Sequence, residues 1–253
     1  MKGEIDFQKL SLYDLGIGTI YYRDRMMSGW REKLFVKTHK AELGDLHQAV
    51  WVYVLVFLVW GVYRLFFRLP EWIEEVFLKM VVFGGPVLWV TLKKQKKSLA
   101  SLGMSTKGLV SSVYLGVLLG LWWVVVGKIT VFVASGGLVL NPQVGVKMFG
   151  ELMFVSLFTA FWEELLFMGF LLPKFVQDTK SELLSLVSVG VMFALLHLPI
   201  QLATQVQAGQ IVTRLTLLLM LSVGNGVLYL RFKNLAAPVF SHLVWGSVIY
   251  LFG

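Results

Sequence analysis

Apolar residues run along most of this chain in blocks of about twenty, separated by short polar and basic stretches. About 20 consecutive apolar residues cross a bilayer as a helix, so each block reads as one transmembrane span. The first covers residues 50–67 and ends among Arg64 and Arg68, whose long side chains can reach the headgroups. Leu69-Pro70-Glu71 then turns the chain into a second span over 72–92, with Glu74 and Glu75 in its first turn and a kink expected at Gly84-Gly85-Pro86. Further spans are predicted over 109–126, 148–172, 183–198, 212–230 and 235–252, with Pro173-Lys174 closing the fourth. Residues 129–140 are apolar but short, and Gly136-Gly137 and Asn141-Pro142 suggest a loop or re-entrant piece. The predicted fold is an all-α polytopic membrane bundle of about seven spans, within a range of six to eight.

Composition agrees with the pattern. The chain is 57% hydrophobic and only 15% charged, where an ordinary soluble domain has about a quarter charged residues. Its mean hydropathy is +0.74. A net charge of +8 would suggest nucleic acid in a soluble protein. Here Lys and Arg gather between spans, at 93–107, at 174–180 and at Arg231 and Lys233, as the positive-inside rule describes. The expected partner is membrane lipid, with no nucleic acid. All these segments fall on one side if the N-terminus is cytosolic. The chain has no cysteine, which excludes disulfides and thiolate metal sites. Residues 1–46 mix charges and hold no short apolar signal-peptide core, and they read as a cytosolic arm. Residues 47–140 then form the first group of spans, and 141–253 a core that carries the chemistry.

That chemistry starts at Phe161-Trp162-Glu163-Glu164, two adjacent carboxylates inside the fourth apolar block. Intramembrane acids are costly and mark functional sites by default. His197 lies at similar apolar depth in the fifth block, four residues after Phe193 and on the same helical face, and His242 lies in the seventh. At 1.5 Å per residue, Glu163 is roughly 15 Å and His242 roughly 12 Å from the cytosolic end of their spans. His197 comes out deeper, roughly 20 Å, a mismatch for three groups of one site. Should they meet, a carboxylate and two imidazoles are a set that can activate water, bind a divalent metal or stabilise an oxyanion. Each residue also has a plainer reading: helix–helix hydrogen bonding for the imidazoles, a protonated structural acid for either glutamate, and core packing for Phe193. A proton-relaying transporter would use the same residue types.

The order Glu163-Glu164-x-x-x, Phe193-x-x-x-His197 and His242-x-x-x resembles the CPBP family (Abi, the type II CAAX-prenyl-protease-like proteins), whose motifs read EExxxR, FxxxH and HxxxN/D. The run Glu-Glu-Leu-Leu-Phe-Met-Gly-Phe-Leu and the stretch from Gly224-Asn225-Gly226 through Asn234-Leu235 to His242 carry the likeness, over roughly residues 145–250. The resemblance implies an intramembrane endopeptidase of the cell membrane that cuts a membrane-anchored or prenylated peptide with Glu- and His-activated water. By position, Glu163 is its water-activating acid, with Glu164 beside it. His197 joins in water activation or metal binding, and His242 stabilises the oxyanion or ligates metal. Zinc is the metal to consider, with His197, His242 and Glu163 as candidate ligands. Two positions depart from the pattern: Met168 stands where the family has Arg, and Gly246 where it has Asn or Asp. Arg214 is a conceivable substitute partner for Glu164, and Asn225 a substitute for the missing amide. The departures also support an alternative, a non-catalytic member acting as a membrane scaffold or bacteriocin-immunity-type factor.

Overall fold

The computed structural model describes residues 28–137, 141–142, 144–204, 206–248 and 251, with backbone alone at 28–44, 131, 134 and 135. Most of the expected cytosolic arm, residues 1–27, lies outside the described residues. Residues 45–253 form one compact unit.

The described residues are helical, with no strand. We number the helices α1 (Ser28–Phe66), α2 (Ile73–Lys94), α3 (Leu109–Ser135), α4 (Val146–Thr179), α5 (Glu182–Leu196), α6 (Leu198–Ala203), α7 (Ala208–Phe232) and α8 (Ala236–Val248). Six stretches are long and apolar enough to cross a membrane: Asp45–Phe66 of α1, α2, the first 22 residues of α3, α4, Glu182–Ala203 spanning α5 and α6, and α7. The chain is an integral membrane protein of the all-α class. Of the expected seventh span, α8 supplies 13 residues, to Val248, and residues 249, 250 and 252 lie outside the described residues. This helix starts from a turn buried in protein: Asn234 is 2% exposed and donates to the carbonyls of Ser105 and Lys107 at 2.8 and 2.9 Å.

Two expectations need correction. The piece at 129–140 is neither loop nor re-entrant as far as Ser135, since α3 continues to that residue and Gly136 ends it with φ +76°. The fourth span does not stop at Pro173 either. It runs on to Thr179, through a π-helical stretch at Leu165–Leu171 and a last α-helical stretch at Leu172–Thr179. A proline inside a helix lacks the N–H of its turn and crowds the carbonyl four residues back. The wide π turn just before Pro173 accommodates both. The seven added residues lengthen this end of α4 by about 10 Å, so depths counted from the expected span ends do not carry over to the structure.

Close packing places α8. A Cβ on Gly116 would lie 2.3 Å from the Ala237 carbonyl oxygen, and one on Gly120 would lie 2.6 Å from that of Ser241. Gly116-x-x-x-Gly120 is thus a smooth strip on α3 that lets the two backbones touch, the usual way membrane helices gain dispersion contact. The residue after Ser241 is His242, so this contact fixes the depth and rotation of its imidazole. Phe193 performs the matching task on α5. Fully buried, its ring packs against Phe167 at 5.0 Å, His197 at 4.9 Å and His242 at 5.7 Å between centroids.

Candidate active site

The four site residues expected from sequence come together. Glu163 and Glu164 end the α-helical part of α4, where the backbone widens into the π stretch. His197 caps the C-terminus of α5, and His242 lies in α8. His197 Nε2 is 3.7 Å and His242 Nε2 3.8 Å from the same atom, Glu163 Oε2. That oxygen is buried and has no hydrogen-bond partner.

The tautomers follow from the other ring nitrogens. His197 Nδ1 is 2.9 Å from the Phe193 carbonyl, which can only accept, so the proton sits on Nδ1. His242 Nδ1 is 2.9 Å from Glu164 Oε1. The same oxygen accepts from Asn225 Nδ2 at 2.8 Å, which makes it a double acceptor and places a proton on His242 Nδ1 as well. In the neutral state both Nε2 atoms are therefore bare, and three lone-pair atoms surround one small gap. Buried polar atoms left in this way cost free energy unless something polar enters between them. The gap opens into a cavity of about 220 Å³ lined on one side by Trp60, Arg64, Glu71, Glu75 and Lys79, and on the other by Ser156, Thr159, Trp245 and Gly246. That volume is large enough for several waters, each needing at least about 10–15 Å³ of such space.

Glu164 faces away from the gap. It is fully buried, and its partners are His242 and Asn225. Arg214, the substitute partner considered from sequence, is exposed and donates instead to Gln201 Oε1 at 2.9 Å. The missing arginine leaves a trace, however. Met168 is 1% exposed, and Glu164 Oε2 has no hydrogen-bond partner. Asn225 does come to the site, though it serves Glu164 and the Pro238 carbonyl (3.4 Å). Gly246 lines the cavity.

Sequence reasoning missed the basic side of the site. Lys79 of α2 is 3% exposed; its ammonium donates to Glu163 Oε1 and pairs with Glu75. Arg64 pairs with Glu74 and Glu75, and Thr159 donates to Glu75 Oε2 at 2.8 Å. A charge-alternating chain thus runs Arg64–Glu75–Lys79–Glu163 from α1 through α2 to α4. The available signal was Glu75-x-x-x-Lys79, an acid and a base one turn apart inside an apolar block. Outside the spans, Glu71 stands at the cavity mouth. Its carboxyl is held above the usual carboxylate range, first by partial desolvation and then by the charge of Glu75, although much of the residue is exposed.

The zinc expectation can be tested on this geometry. Ligands about 2.0–2.1 Å from one tetrahedral ion lie roughly 3.3–3.4 Å apart, closer than the two carboxylate–imidazole separations here. Lys79 also already neutralises Glu163, the only anionic ligand of the set. Among the described residues no group of three His, Cys, Asp or Glu side chains is arranged to hold a metal. A tetrahedral zinc does not fit these separations as they stand.

Comparison with known proteins finds one family. Residues 145–248 match the family model described as type II CAAX prenyl endopeptidase Rce1-like. No curated protein and no solved structure gives a significant match. The matched segment contains α4 to α8, hence both glutamates, both histidines and Asn225, and it excludes Lys79 and Arg64. Through this segment, less than half of the chain, the protein is similar to the Rce1-like, type II CAAX prenyl endopeptidase family.

Proposed function

We propose that the chain is an intramembrane endopeptidase that hydrolyses a membrane-anchored peptide with water activated by Glu163 and His197. The observation that carries this reading is the unpartnered Oε2 of Glu163, facing two Nε2 atoms at the edge of a polar-lined cavity. A water in the gap donates one hydrogen to Glu163 Oε2 and the other to His197 Nε2, which aims its lone pair at a peptide carbonyl. As the water oxygen bonds to the carbonyl carbon, Glu163 takes the proton, which later goes to the leaving amine. His242, protonated on both nitrogens, donates from Nε2 to the developing oxyanion, while Glu164 accepts from Nδ1 and balances its charge. The substrates are peptides tethered at the bilayer, prenylated C-termini among them, and the cell membrane is the proposed location.

A second reading has its own support. With Met168 and Gly246 in place of two family residues, and Lys79 on Glu163, the cavity would hold a membrane peptide without cutting it, as a scaffold or immunity-type factor. The purified chain in proteoliposomes, offered a tethered reporter peptide, separates the two. Mass spectrometry of the products is expected to show cleavage by the wild type and none by Glu163→Gln; an inert wild type that still retains the peptide supports the scaffold.

A further inference from the structure

Lys79 is a buried charge that the water-activating step does not use and that lies outside the family match. It sits within α2, and Trp60 and Phe83 cover its ammonium at 5.4 and 5.6 Å from their ring centroids. Its two carboxylate partners differ in kind. Glu75, one turn away on the same helix, is itself held by Arg64 and Thr159; Glu163 comes from α4. Arg64 is fixed in turn by Glu74 and by stacking 4.5 Å over Trp60. The ammonium is thus anchored from behind and presents its remaining donor capacity to one oxygen of Glu163.

We propose that Lys79 is the positioning residue of the hydrolytic carboxylate: by occupying Oε1 of Glu163 it turns Oε2 toward His197 and His242. It supplies from the second span a cation that the first motif, with Met168 in place of arginine, does not carry. The inference rests on the peptidase reading given above. A carboxylate free at both oxygens rotates about its last torsion, whereas one pinned through Oε1 keeps a single face toward the water. Small misplacements of a reacting group cost on the order of a hundredfold in rate. Lys79 lines the cavity, yet of Glu163 it takes only the oxygen that does not face the imidazoles, so its loss falls on the chemical step more than on peptide binding.

The test measures kcat and KM for a tethered reporter peptide in proteoliposomes, with wild type, Glu163→Gln, Lys79→Met, Lys79→Arg and Glu75→Gln, each checked for folding by thermal unfolding in detergent. Lys79→Met is expected to lower kcat about 30- to 100-fold with KM within about twofold, and Lys79→Arg to return to within about fivefold of wild type. Glu75→Gln, which removes the rear anchor, is expected to lower kcat about tenfold at the same KM, and it carries the test if Lys79→Met does not fold. Wild-type kcat in Lys79→Met, equal losses in Lys79→Met and Lys79→Arg, or a change in KM alone overturns the assignment. So does unchanged kcat in Glu75→Gln if Lys79→Met is unfolded. Failure of the peptidase reading looks different: the wild type does not cleave, or Glu163→Gln cleaves as well as wild type, and the assignment falls with it.

Discussion

The two sides of the cavity were built under different rules. The α4–α8 side matches a known family, and its polar groups are hydrogen-bonding residues: two imidazoles, an amide and two carboxylates whose proton positions follow from geometry. The α1–α2 side has no such match, and its polar groups are permanent charges in alternation, Arg64, Glu75 and Lys79, with Glu74 and Tyr63 closing the outer end. In the proposed reaction one side supplies the chemistry and the other holds a charge in place. They meet at Glu163, with one oxygen committed to each side, and again where Thr159 of α4 donates to Glu75 of α2. In this chain the cation beside the two glutamates comes from a neighbouring helix and pairs with Glu163.

Several changes would break or sharpen this contrast. The largest effect is expected on the chemical side, where His242→Ala should lower kcat of reporter cleavage by about 10²–10³, the usual loss for one oxyanion donor. A value within tenfold of wild type would remove His242 from the reaction. The charged side should respond in stability. Lys79→Met leaves Glu75 and Glu163 short of a partner, and breaking a buried pair costs about 3–5 kcal/mol, readable as a fall in Tm in detergent. Between the two sides, Gly61 of α1 and Pro199 of α6 are close enough that a Cβ on Gly61 would lie 3.9 Å from that of Pro199, within the range for a disulfide. Because the chain has no cysteine, Gly61→Cys with Pro199→Cys should cross-link under oxidation without background, seen as a mobility shift reversed by reductant; no cross-link would contradict the packing of the two sides. A smaller change is expected from Gly246→Asn. A Cβ there meets Ser156 only at 3.5 Å, ordinary contact, so the variant should fold normally and raise kcat by a few-fold if an amide is what the third motif lacks.

The fold was largely legible because hydrocarbon length sets span length and few charges interrupt the blocks. Helix ends were less so: the continuation of α4 past Pro173 depends on a π stretch, and the start of α8 depends on a turn packed against residues 103–107. Neither leaves a local pattern. On the chemical side Glu163, Glu164, His197 and His242 stood out, since each is rare in an apolar block and their order matched a family. Lys79 did not, because a lysine near a span end is usually taken as a snorkelling or topology residue. Only the packing of α2 on α4 shows that it points inward. Glu164 was assigned a missing cation, and the structure gives it Asn225 and His242 instead.

The claim that one site joins both sides is tested most directly by a double-mutant cycle on unfolding, with Lys79→Met, Glu163→Gln and the two combined. A buried pair predicts that the combined variant is less destabilised than the sum of the single ones, with a coupling of about 2–3 kcal/mol. Additive losses, with coupling within about 0.5 kcal/mol of zero, would mean that Lys79 and Glu163 do not meet, and the two sides would have to be treated as separate.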